Sequence, residues 1–341
     1  MSSTPVRIAL IGAGRIGASH ASVIARRVPE GTLVAVTDPR PGAADAVAAP
    51  LGARAETTVD AVLSAGDVDA VVIAASSTAH AELIVAAAEA GKHVFSEKPA
   101  GMSLAEIARA HAATEKAGVR FQVGFNRRFA AEFRAAREAV TQGRIGTVQL
   151  MRSLTRDPGS GPTDPGAVPA WTIFTQTLIH DFDTLNWLNP GACAVDVVAT
   201  ADALVRPDFK KSGLLDTAVV VIRYDNGAIA IAEASFAAAY GYDVRGEVFG
   251  SGGMVTAGDG STSSMRLYDA SGRSATTARG DTELLIDAYT GEFAEFVGAI
   301  QESRRPSVGG DDAWAAFAIA EACIESIQSG TRVPVAQGVR G

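Results

Sequence analysis

The chain has 341 residues, of which 47% are hydrophobic and 20% charged, and its formal net charge is −8. This length exceeds the usual size of a single core and predicts two domains. The acidic balance excludes a general nucleic-acid or anionic-membrane surface, so a small-molecule function is favoured.

Cysteine content and the N-terminal sequence indicate the compartment. Cys193 and Cys323 are the two cysteines. Without a CxxC motif or a His/Cys cluster they predict neither a disulfide framework nor a zinc site, and we expect no metal. No signal-peptide pattern and no bilayer-spanning apolar stretch are found. These features predict a reduced, cytoplasmic protein.

The first predicted element is a buried strand, Val6–Ile11, followed by a glycine loop and a helical pattern. Gly12 permits a tight turn, Gly14 lets the backbone approach a pyrophosphate, and Gly17 lets the helix pack closely on the strand. The free N–H groups at the helix N-terminus suit an anion. The predicted cofactor loop consists of Gly12, Gly14, Arg15, Ile16 and Gly17.

A second strand, 33–37, ends in Asp38, 21 residues beyond Gly17 (38 − 17). This is close to the spacing of about 20 for the acid that binds the adenosine ribose. The Asp38 charge would repel a 2′-phosphate, so NAD is favoured over NADP. Arg40 lies near enough to pair with a 2′-phosphate, although it could equally be a solvated arginine at a helix start.

Up to about residue 125, short β-branched runs alternate with Ala-rich helical segments. Further strands are predicted at 70–74, 93–96 and 120–124. The alternation is typical of a doubly wound parallel sheet. We therefore assign residues 1–125 to an NAD-binding Rossmann domain in a chain of the α/β class.

After Arg127 the pattern changes, and residues 126–341 are assigned to a second α/β domain. Helices are predicted at 130–141, 175–188, 284–301 and 311–329, and strands at 147–155, 195–203, 217–224, 228–236 and 244–250, with a Gly/Pro-rich loop at 157–169. The late strands follow one another without helices between them. Asp225, Asn226 and Gly227 form a strong hairpin signal, so the sheet should be mainly antiparallel.

Lys98 is the first candidate for chemistry. The sequence Glu97, Lys98, Pro99 follows the strand His93–Ser96, at the carboxyl edge where open α/β sheets bind ligands. A lysine at this edge can reach a substrate beside the nicotinamide. The alternative is a surface lysine that closes a loop.

His180 is the second candidate and lies in an amphipathic helix, where a lone histidine is commonly structural. Gln176 lies four positions earlier and would share its face, and imidazole is well suited to proton exchange near neutral pH. We interpret Asp181 and Asp183 as helix-orienting or surface acids rather than metal ligands.

Five motifs occur in order along the chain. They are the glycine loop, Glu97–Lys98–Pro99, GFNRRF at 124–129, IHDFD at 179–183 and YGYDVRGE at 240–247. Together they resemble the glucose-fructose oxidoreductase and inositol dehydrogenase family, most closely its myo-inositol 2-dehydrogenases. The resemblance implies a Rossmann domain, then an α/β domain with a large open sheet for substrate binding and oligomer formation, usually as a tetramer, and an active site between the domains.

The resemblance also implies roles for individual residues. Lys98 would orient and polarise the substrate hydroxyl, and His180 would remove its proton as hydride leaves for the nicotinamide C4. Further substrate contacts would be Asn126, Arg127, Arg156, Asp157, Gln176 and Tyr240, and further cofactor contacts Ala75, Ser76, Ser77, His80, Glu97, Lys98 and Arg127. Less specific interpretations stay open: Tyr240 as an interface aromatic, Arg127 as a helix-start cation and His80 as a capped helix residue.

Gln176 departs from the family pattern, in which an aspartate usually stands four residues before the histidine. Glutamine can hydrogen-bond a substrate hydroxyl but lacks the charge that would raise the basicity of His180 or balance Lys98. Our hypothesis is that Asp157 supplies the missing carboxylate.

The expected reaction is NAD-dependent oxidation of a secondary ring hydroxyl of a cyclitol to a ketone, with myo-inositol as the first candidate substrate. A pyranose, an anhydrosugar or an amino-cyclitol is the alternative on the same machinery. An alternative of another class is a non-catalytic sugar sensor, but a pure binding module has no need of both Lys98 and His180.

The proposed base leads to a prediction for the pH dependence. Only neutral imidazole accepts a proton, and the ordinary pKa of histidine is ~6.5. We expect kcat/KM for oxidation to fall in acid and to rise towards alkaline pH. A kcat/KM profile recorded with NAD on both sides of that value tests this, and a flat profile would argue against His180 as the base.

Overall fold

The computed structural model describes residues 4–159, 169–263 and 265–338. By its contacts the chain divides into two compact units. Unit 1 holds the chain up to Asn126 together with Asp287–Trp314, and unit 2 holds Arg127–Ile286 together with the chain from Ala315. The chain passes between the units at 126/127, 286/287 and 314/315, and a single boundary between residues 125 and 126 does not contain the last two.

Unit 1 is built on a six-stranded parallel sheet. Its strands are β1 (Val6–Ile11), β2 (Gly31–Thr37), β3 (Arg54–Glu56), β4 (Ala70–Ile73), β5 (His93–Ser96) and β6 (Phe121–Val123). Their order is β3-β2-β1-β4-β5-β6, so the direction of winding reverses between β1 and β4. Ligands bind outside the carboxyl ends of the strands at such a reversal. The predicted Rossmann sheet is thereby confirmed, although sequence reasoning missed β3, which is three residues long and only half-buried.

Five helices connect these strands, and a sixth returns from late in the chain. They are α1 (Arg15–Arg27), α2 (Ala43–Ala48), α3 (Val59–Ser64), α4 (His80–Glu89), α5 (Leu104–Ala117) and α9 (Ile286–Gln301). In α9, the Phe293 ring centroid lies 4.6 Å from that of Phe95, and the backbone carbonyl of Glu292 accepts a hydrogen bond from Gln122 at 2.7 Å. These buried contacts explain why α9 belongs to unit 1.

Unit 2 is built on a seven-stranded sheet. Its strands are β7 (Val148–Arg156), β8 (Ala194–Asp202), β9 (Thr217–Tyr224), β10 (Ile229–Ser235), β11 (Asp243–Gly250), β12 (Gly253–Ala257) and β15 (Val333–Pro334), in the order β12-β11-β7-β10-β9-β8-β15. Every pair is antiparallel except β7 with β10. The mainly antiparallel sheet is therefore confirmed, and Gly227 in the β9–β10 turn has φ +88°.

The remaining elements of unit 2 are short strands and helices. A separate pair is formed by β13 (Leu267–Asp269) and β14 (Gly272–Ser274), and the helices are α6 (Ala131–Thr141), α7 (Ile179–Leu188) and α8 (Asp281–Leu284), while α10 (Gly310–Ser329) spans the boundary between the units. Helices α6 and α7 pack on one face of the seven-stranded sheet. Within the described residues, no helix has both the length and the apolar character needed to cross a bilayer.

Candidate active site

The glycine loop after β1 has the geometry of a dinucleotide cradle. Gly12 has φ +102°, and a Cβ on it would lie 2.6 Å from the backbone of Ala74. A Cβ on Gly17 would lie 2.0 Å from the carbonyl oxygen of Gly12. By contrast, nothing lies within 4 Å of a Cβ built on Gly14, and no side chain caps α1 at this residue. The loop therefore leaves open backbone at a helix N-terminus, where a pyrophosphate fits.

Asp38 lies at the end of β2 beside this loop. Its Oδ2 accepts a hydrogen bond from the Ala13 backbone N–H at 2.7 Å, and Arg40 donates to both carboxylate oxygens at 2.9 and 3.0 Å. The hydrogen bonds from Arg40 lower the pKa of Asp38 to about 2. Asp38 is thus an ionised acceptor whose two oxygens already accept four hydrogen bonds, one from Ala13 and three from Arg40. A ribose hydroxyl would take the place of an Arg40 donor, and the pairing with Arg40 competes with any 2′-phosphate.

The segment after β4 contains Ala75, Ser76, Ser77 and His80. Ser76 is exposed and Ser77 half-buried, so both hydroxyls can meet a ligand. His80 is buried, with Nδ1 2.8 Å from the carbonyl oxygen of Pro99 and Nε2 3.1 Å from that of Ala75. Burial lowers the pKa of His80. Its ring therefore connects the turn after β4 with the turn after β5.

Lys98 lies on that second turn, at the carboxyl edge of β5, and is half-buried. The Lys98–Pro99 peptide bond is cis. The Glu97 carboxylate is turned into the interior, where Oε1 lies 2.7 Å from His20 Nε2 and Oε2 accepts a hydrogen bond from the Lys98 backbone N–H at 3.2 Å. Only the backbone of Glu97 is therefore left to contact a cofactor.

Asn126 follows β6 at the same edge of the sheet and is 4% exposed. Its side-chain oxygen Oδ1 is buried and has no hydrogen-bond partner within the described part of the chain. A buried carbonyl oxygen without a donor is costly unless a ligand supplies one. This orphaned acceptor supports the expectation that Asn126 contacts cofactor or substrate.

Arg127 begins unit 2, and its guanidinium lies in a buried polar network. It donates to Asp181 Oδ1 at 2.7 Å and to the hydroxyl of Thr155. The hydroxyls of Ser153 and Thr155 in turn donate to the two Asp181 oxygens, each at 2.6 Å. Arg127 and Asp181 are 2% and 0% exposed. The network joins β7 to α7 one residue beyond His180.

A second ion pair lies beside the first. Arg128 donates from Nε to Asp183 Oδ2 at 2.9 Å, and its guanidinium carbon lies 5.8 Å from the centre of the Trp187 ring. Asp181 and Asp183 are both buried, which contradicts the surface-acid alternative. Their ion pairs with Arg127 and Arg128 agree with the other alternative, that they orient α7. Polar residues on the inward-facing side of β7, Ser153 and Thr155, were a signal of this network that sequence reasoning missed.

His180 lies in the first turn of α7, and the backbone before it differs from the expected regular helix. Residues Ile173–Thr177 form a π turn, in which the Leu178 N–H donates to the Ile173 carbonyl at 2.8 Å. The helical segment thus begins two residues before the expected position 175. Gln176 lies in the π turn, and Gln176 and His180 are both half-buried. Single π turns are frequent at functional sites.

The other predicted substrate contacts lie at one end of the β7–β11 pair. The Tyr240 hydroxyl donates to Asp243 Oδ2 at 2.7 Å and also interacts with Arg156. Burial, followed by the Asp243 carboxylate, raises the pKa of Tyr240. Arg156 also donates to Glu233 at 3.2 Å. Tyr240 is 49% exposed, so its ring keeps a face for a ligand.

Asp157 lies next to Arg156 and is half-buried. Its Oδ1 accepts a hydrogen bond from the Gly159 backbone N–H at 3.1 Å. Residues 160–168 of the predicted Gly/Pro-rich loop lie outside the described residues. The hypothesis that Asp157 supplies the missing carboxylate stays a prediction.

Among the described residues, one group of three has the composition of metal ligands: His20, Glu97 and Glu292, with ligand-type atoms within 4.8 Å of one another. The 2.7 Å distance between His20 Nε2 and Glu97 Oε1 is that of a hydrogen bond. A proton, rather than a metal ion, therefore joins these two side chains.

Comparison with known proteins gives two domain models and full-length relatives. The model "Oxidoreductase family, NAD-binding Rossmann fold" matches residues 6–125, and the model "GFO/IDH/MocA C-terminal domain" matches residues 133–256. An inositol 2-dehydrogenase of Rhizobium meliloti is 35% identical over 332 residues, which are 97% of this chain and 99% of that protein. The chain belongs to the GFO/IDH/MocA oxidoreductase family.

Two further GFO/IDH/MocA relatives extend the comparison. A myo-inositol 2-dehydrogenase of Thermotoga maritima is 35% identical, over 95% of this chain and 96% of that protein. The crystal structure of scyllo-inositol dehydrogenase from Lactobacillus casei with bound NAD(H) and scyllo-inositol has a TM-score of 0.93 at 29% identity, and covers 98% of this chain and 100% of that one. As a family member, the chain is an NAD-dependent oxidoreductase, which confirms the expected family and cofactor.

The pairing of Asp38 with Arg40 leads to a prediction on cofactor choice. Asp38→Ser removes the carboxylate that repels a 2′-phosphate and frees Arg40 to bind it. We expect the NADP/NAD affinity ratio to rise by roughly tenfold to a hundredfold, the scale of one or two hydrogen bonds to a charged group. Fluorescence titration of the protein with each nucleotide measures this ratio.

The matched control is the double variant Asp38→Ser with Arg40→Ala. It lacks the freed guanidinium, so most of the gain in NADP affinity should disappear. An equal gain in both variants would contradict the assignment of Arg40.

Proposed function

We propose that the protein is a cyclitol dehydrogenase that oxidises a secondary ring hydroxyl to a ketone, converting myo-inositol to 2-keto-myo-inositol. The observation that carries this proposal is that buried polar contacts fix the backbone of both Lys98 and His180. The Glu97 carboxylate binds the Lys98 backbone N–H, and the pairs Arg127–Asp181 and Arg128–Asp183 hold the helix that bears His180. The names of the full-length relatives support a cyclitol as the substrate class.

Lys98 is assigned the polarisation of the reacting hydroxyl. An ammonium group offers three N–H donors and no acceptor, so it can bind the hydroxyl oxygen and stabilise negative charge developing there. Its backbone N–H is bonded to the Glu97 carboxylate. This hydrogen bond restricts the motion of the Lys98 backbone, from which the side chain extends.

His180 is assigned the role of general base, taking the hydroxyl proton. NAD, when bound, accepts the hydride from the same carbon. The pairs Arg127–Asp181 and Arg128–Asp183 hold α7 on either side of Phe182, within one turn of His180. A base on a rigid helix keeps its nitrogen in line with the substrate, which is the requirement for efficient proton transfer.

The remaining residues are assigned by their positions. We propose that the loop residues Gly12, Gly14, Arg15, Ile16 and Gly17, with Asp38, hold the adenosine and pyrophosphate, that Ser76, Ser77 and Asn126 lie against the nicotinamide half, and that Arg156, Gln176 and Tyr240 contact the polyol. Gln176 favours a second candidate, a pyranose, anhydrosugar or amino-cyclitol substrate, because an amide recognises a hydroxyl pattern differently from the usual aspartate.

The test is NADH formation, followed by absorbance, with myo-, scyllo- and D-chiro-inositol, glucose, xylose and an anhydrosugar. His180→Ala and Lys98→Met should each lower kcat/KM on the best substrate by roughly a hundredfold or more, the range for loss of a general acid–base group. His111→Ala and Lys116→Met are matched controls and should stay near wild type.

Each outcome separates the candidates. Turnover of an inositol supports the proposal and means that Gln176 is tolerated. Turnover of sugars alone would move the substrate to the second class. NAD binding without any turnover would favour a sensor or a substrate outside this panel.

We also propose that the protein forms a homo-oligomer, a tetramer by family resemblance, through the open face of the seven-stranded sheet. The register places Met254 opposite Phe249, Phe249 opposite Leu150 and Leu150 opposite Ile229, which makes an apolar row across four strands. All four side chains are more than 40% exposed. Val219 and Val221 of β9 extend the patch. Exposed apolar surface of this kind marks an interface.

A charge within this patch should prevent assembly. Val221→Glu would bury a carboxylate in an apolar interface, so we expect a smaller species by analytical ultracentrifugation. Val205→Glu is the matched control, since Val205 is similarly exposed but lies outside the sheet. Identical sedimentation of wild type and Val221→Glu would contradict this interface.

A further inference from the structure

A buried cluster of ionisable groups lies next to the backbone of Lys98. It consists of His20 from α1, Glu97 after β5 and Glu292 from α9. They are 0%, 8% and 0% exposed. The His20 ring is surrounded by the rings of Phe95, Tyr289 and Phe293, with centroids 6.0, 5.3 and 4.9 Å away. In such apolar surroundings a charge is costly unless it is paired or hydrogen-bonded.

The two carboxyl groups have different surroundings. Glu97 lies beside His20 Nε2 and accepts from the Lys98 backbone N–H, whereas neither carboxyl oxygen of Glu292 has a hydrogen-bond partner within the described chain. Two neighbouring carboxylates in one apolar site cannot both be ionised. The hydrogen bonds to Glu97 favour charge there, so the proton belongs on Glu292.

The pKa directions agree with this division. Burial is the largest influence on Glu97 and raises its pKa. The hydrogen bond with His20 and the charges of His20, Lys98 and His80 together outweigh burial and leave that pKa below its ordinary value. Burial, together with the charge of Glu97, raises the pKa of Glu292 well above its ordinary value. Both directions agree with the geometry in placing the proton on Glu292 rather than on Glu97.

The cluster also connects the two ends of the cofactor site. His20 lies one turn beyond Gly17 on α1, the helix whose N-terminus faces the pyrophosphate position. Its hydrogen bond with Glu97 joins that helix to the turn that bears Lys98. Gly124 provides the space that the Glu97 side chain occupies, since a Cβ at this position would lie 3.3 Å from the Glu97 carboxyl group.

We propose that Glu97 is the positioning residue of Lys98, fixed by His20 and accompanied by a neutral Glu292 that leaves the cluster with one carboxylate. The inference rests on the function proposed for Lys98. The carboxylate holds the Lys98 backbone and supplies the fixed negative charge beside its ammonium group. Glu292 occupies its buried position in the protonated form, so replacing it with a neutral side chain of similar size is tolerated.

The test compares the same chemical change at two positions. Glu97→Gln removes the carboxylate, and we expect kcat to fall by roughly tenfold to a hundredfold, since a displacement of about 1 Å is enough for the larger figure. The affinity for NAD, measured by fluorescence titration, should change less than about twofold because the glycine loop is intact. Glu292→Gln replaces a neutral acid with a neutral amide and should leave kcat near wild type.

His20 provides a rescue pair. His20→Gln keeps a side-chain N–H that can reach the Glu97 carboxylate, whereas His20→Leu does not. We expect His20→Gln to keep most of kcat and His20→Leu to resemble Glu97→Gln. Loss of kcat in Glu292→Gln equal to that in Glu97→Gln would overturn the proposal, and so would equal losses in the two His20 variants.

Two readouts need no substrate, so they decide the inference even if no inositol is turned over. Infrared spectra at neutral pH should contain the C=O stretch of a protonated carboxylic acid, and this band should vanish in Glu292→Gln and persist in Glu97→Gln. Labelling of Lys98 by an amine reagent, quantified by peptide mass spectrometry against Lys116, should be faster in Glu97→Gln. The opposite pattern of bands, unchanged labelling, or a stoichiometric metal ion found by elemental analysis would overturn the assignment.

Discussion

The ion pair between Arg127 and Asp181 is the interaction on which the site in unit 2 depends. Both side chains are almost completely buried, and every oxygen of Asp181 is hydrogen-bonded, to Arg127, Ser153 or Thr155. A buried pair is tolerated only when its charges are satisfied in this way, and removing one partner leaves an uncompensated charge that costs about 3–5 kcal/mol. The pair therefore fixes the start of unit 2, β7 and α7 in one arrangement. This arrangement also fixes the backbone position of His180, which is one residue before Asp181.

Unit 1 meets the same physical constraint with a different solution. Next to the Lys98 backbone the structure places two carboxyl groups and one imidazole among aromatic rings, and no ion pair with an arginine is found there among the described residues. Charge is limited there by keeping a proton on Glu292 and by giving the Glu97 carboxylate its hydrogen bonds. Buried polar contacts in both units thus hold the backbone next to a candidate catalytic side chain, Lys98 in unit 1 and His180 in unit 2. Both candidates are half-buried.

Gln176 is a candidate substrate contact in unit 2. It lies in the π turn before α7, where the backbone departs from α-helical geometry. An uncharged amide supplies no negative charge at this position. On our proposal, the negative charge next to Lys98 comes from Glu97, which accepts the Lys98 backbone N–H.

The sequence by itself determined the features that depend on local physics. The glycine spacing, the acid after β2, the alternation of strands and helices and the Asp-Asn-Gly turn all act within a few residues or one βαβ unit, so their patterns can be read directly. Lys98 and His180 were chosen as candidates in the same way, from their place after a strand and within a helix. The family motifs added their roles.

Only the tertiary structure decided which distant groups meet. Arg127 and Asp181 are 54 residues apart, and His20 and Glu97 are 77 apart. Their pairing depends on the sheet order and on the burial that follows from it, and neither is encoded in a local pattern. The return of α9 to unit 1, the parallel pairing of β7 with β10, and the short strands β3 and β15 were missed for the same reason. Short or polar segments carry little periodic signal, and long-range packing decides their place.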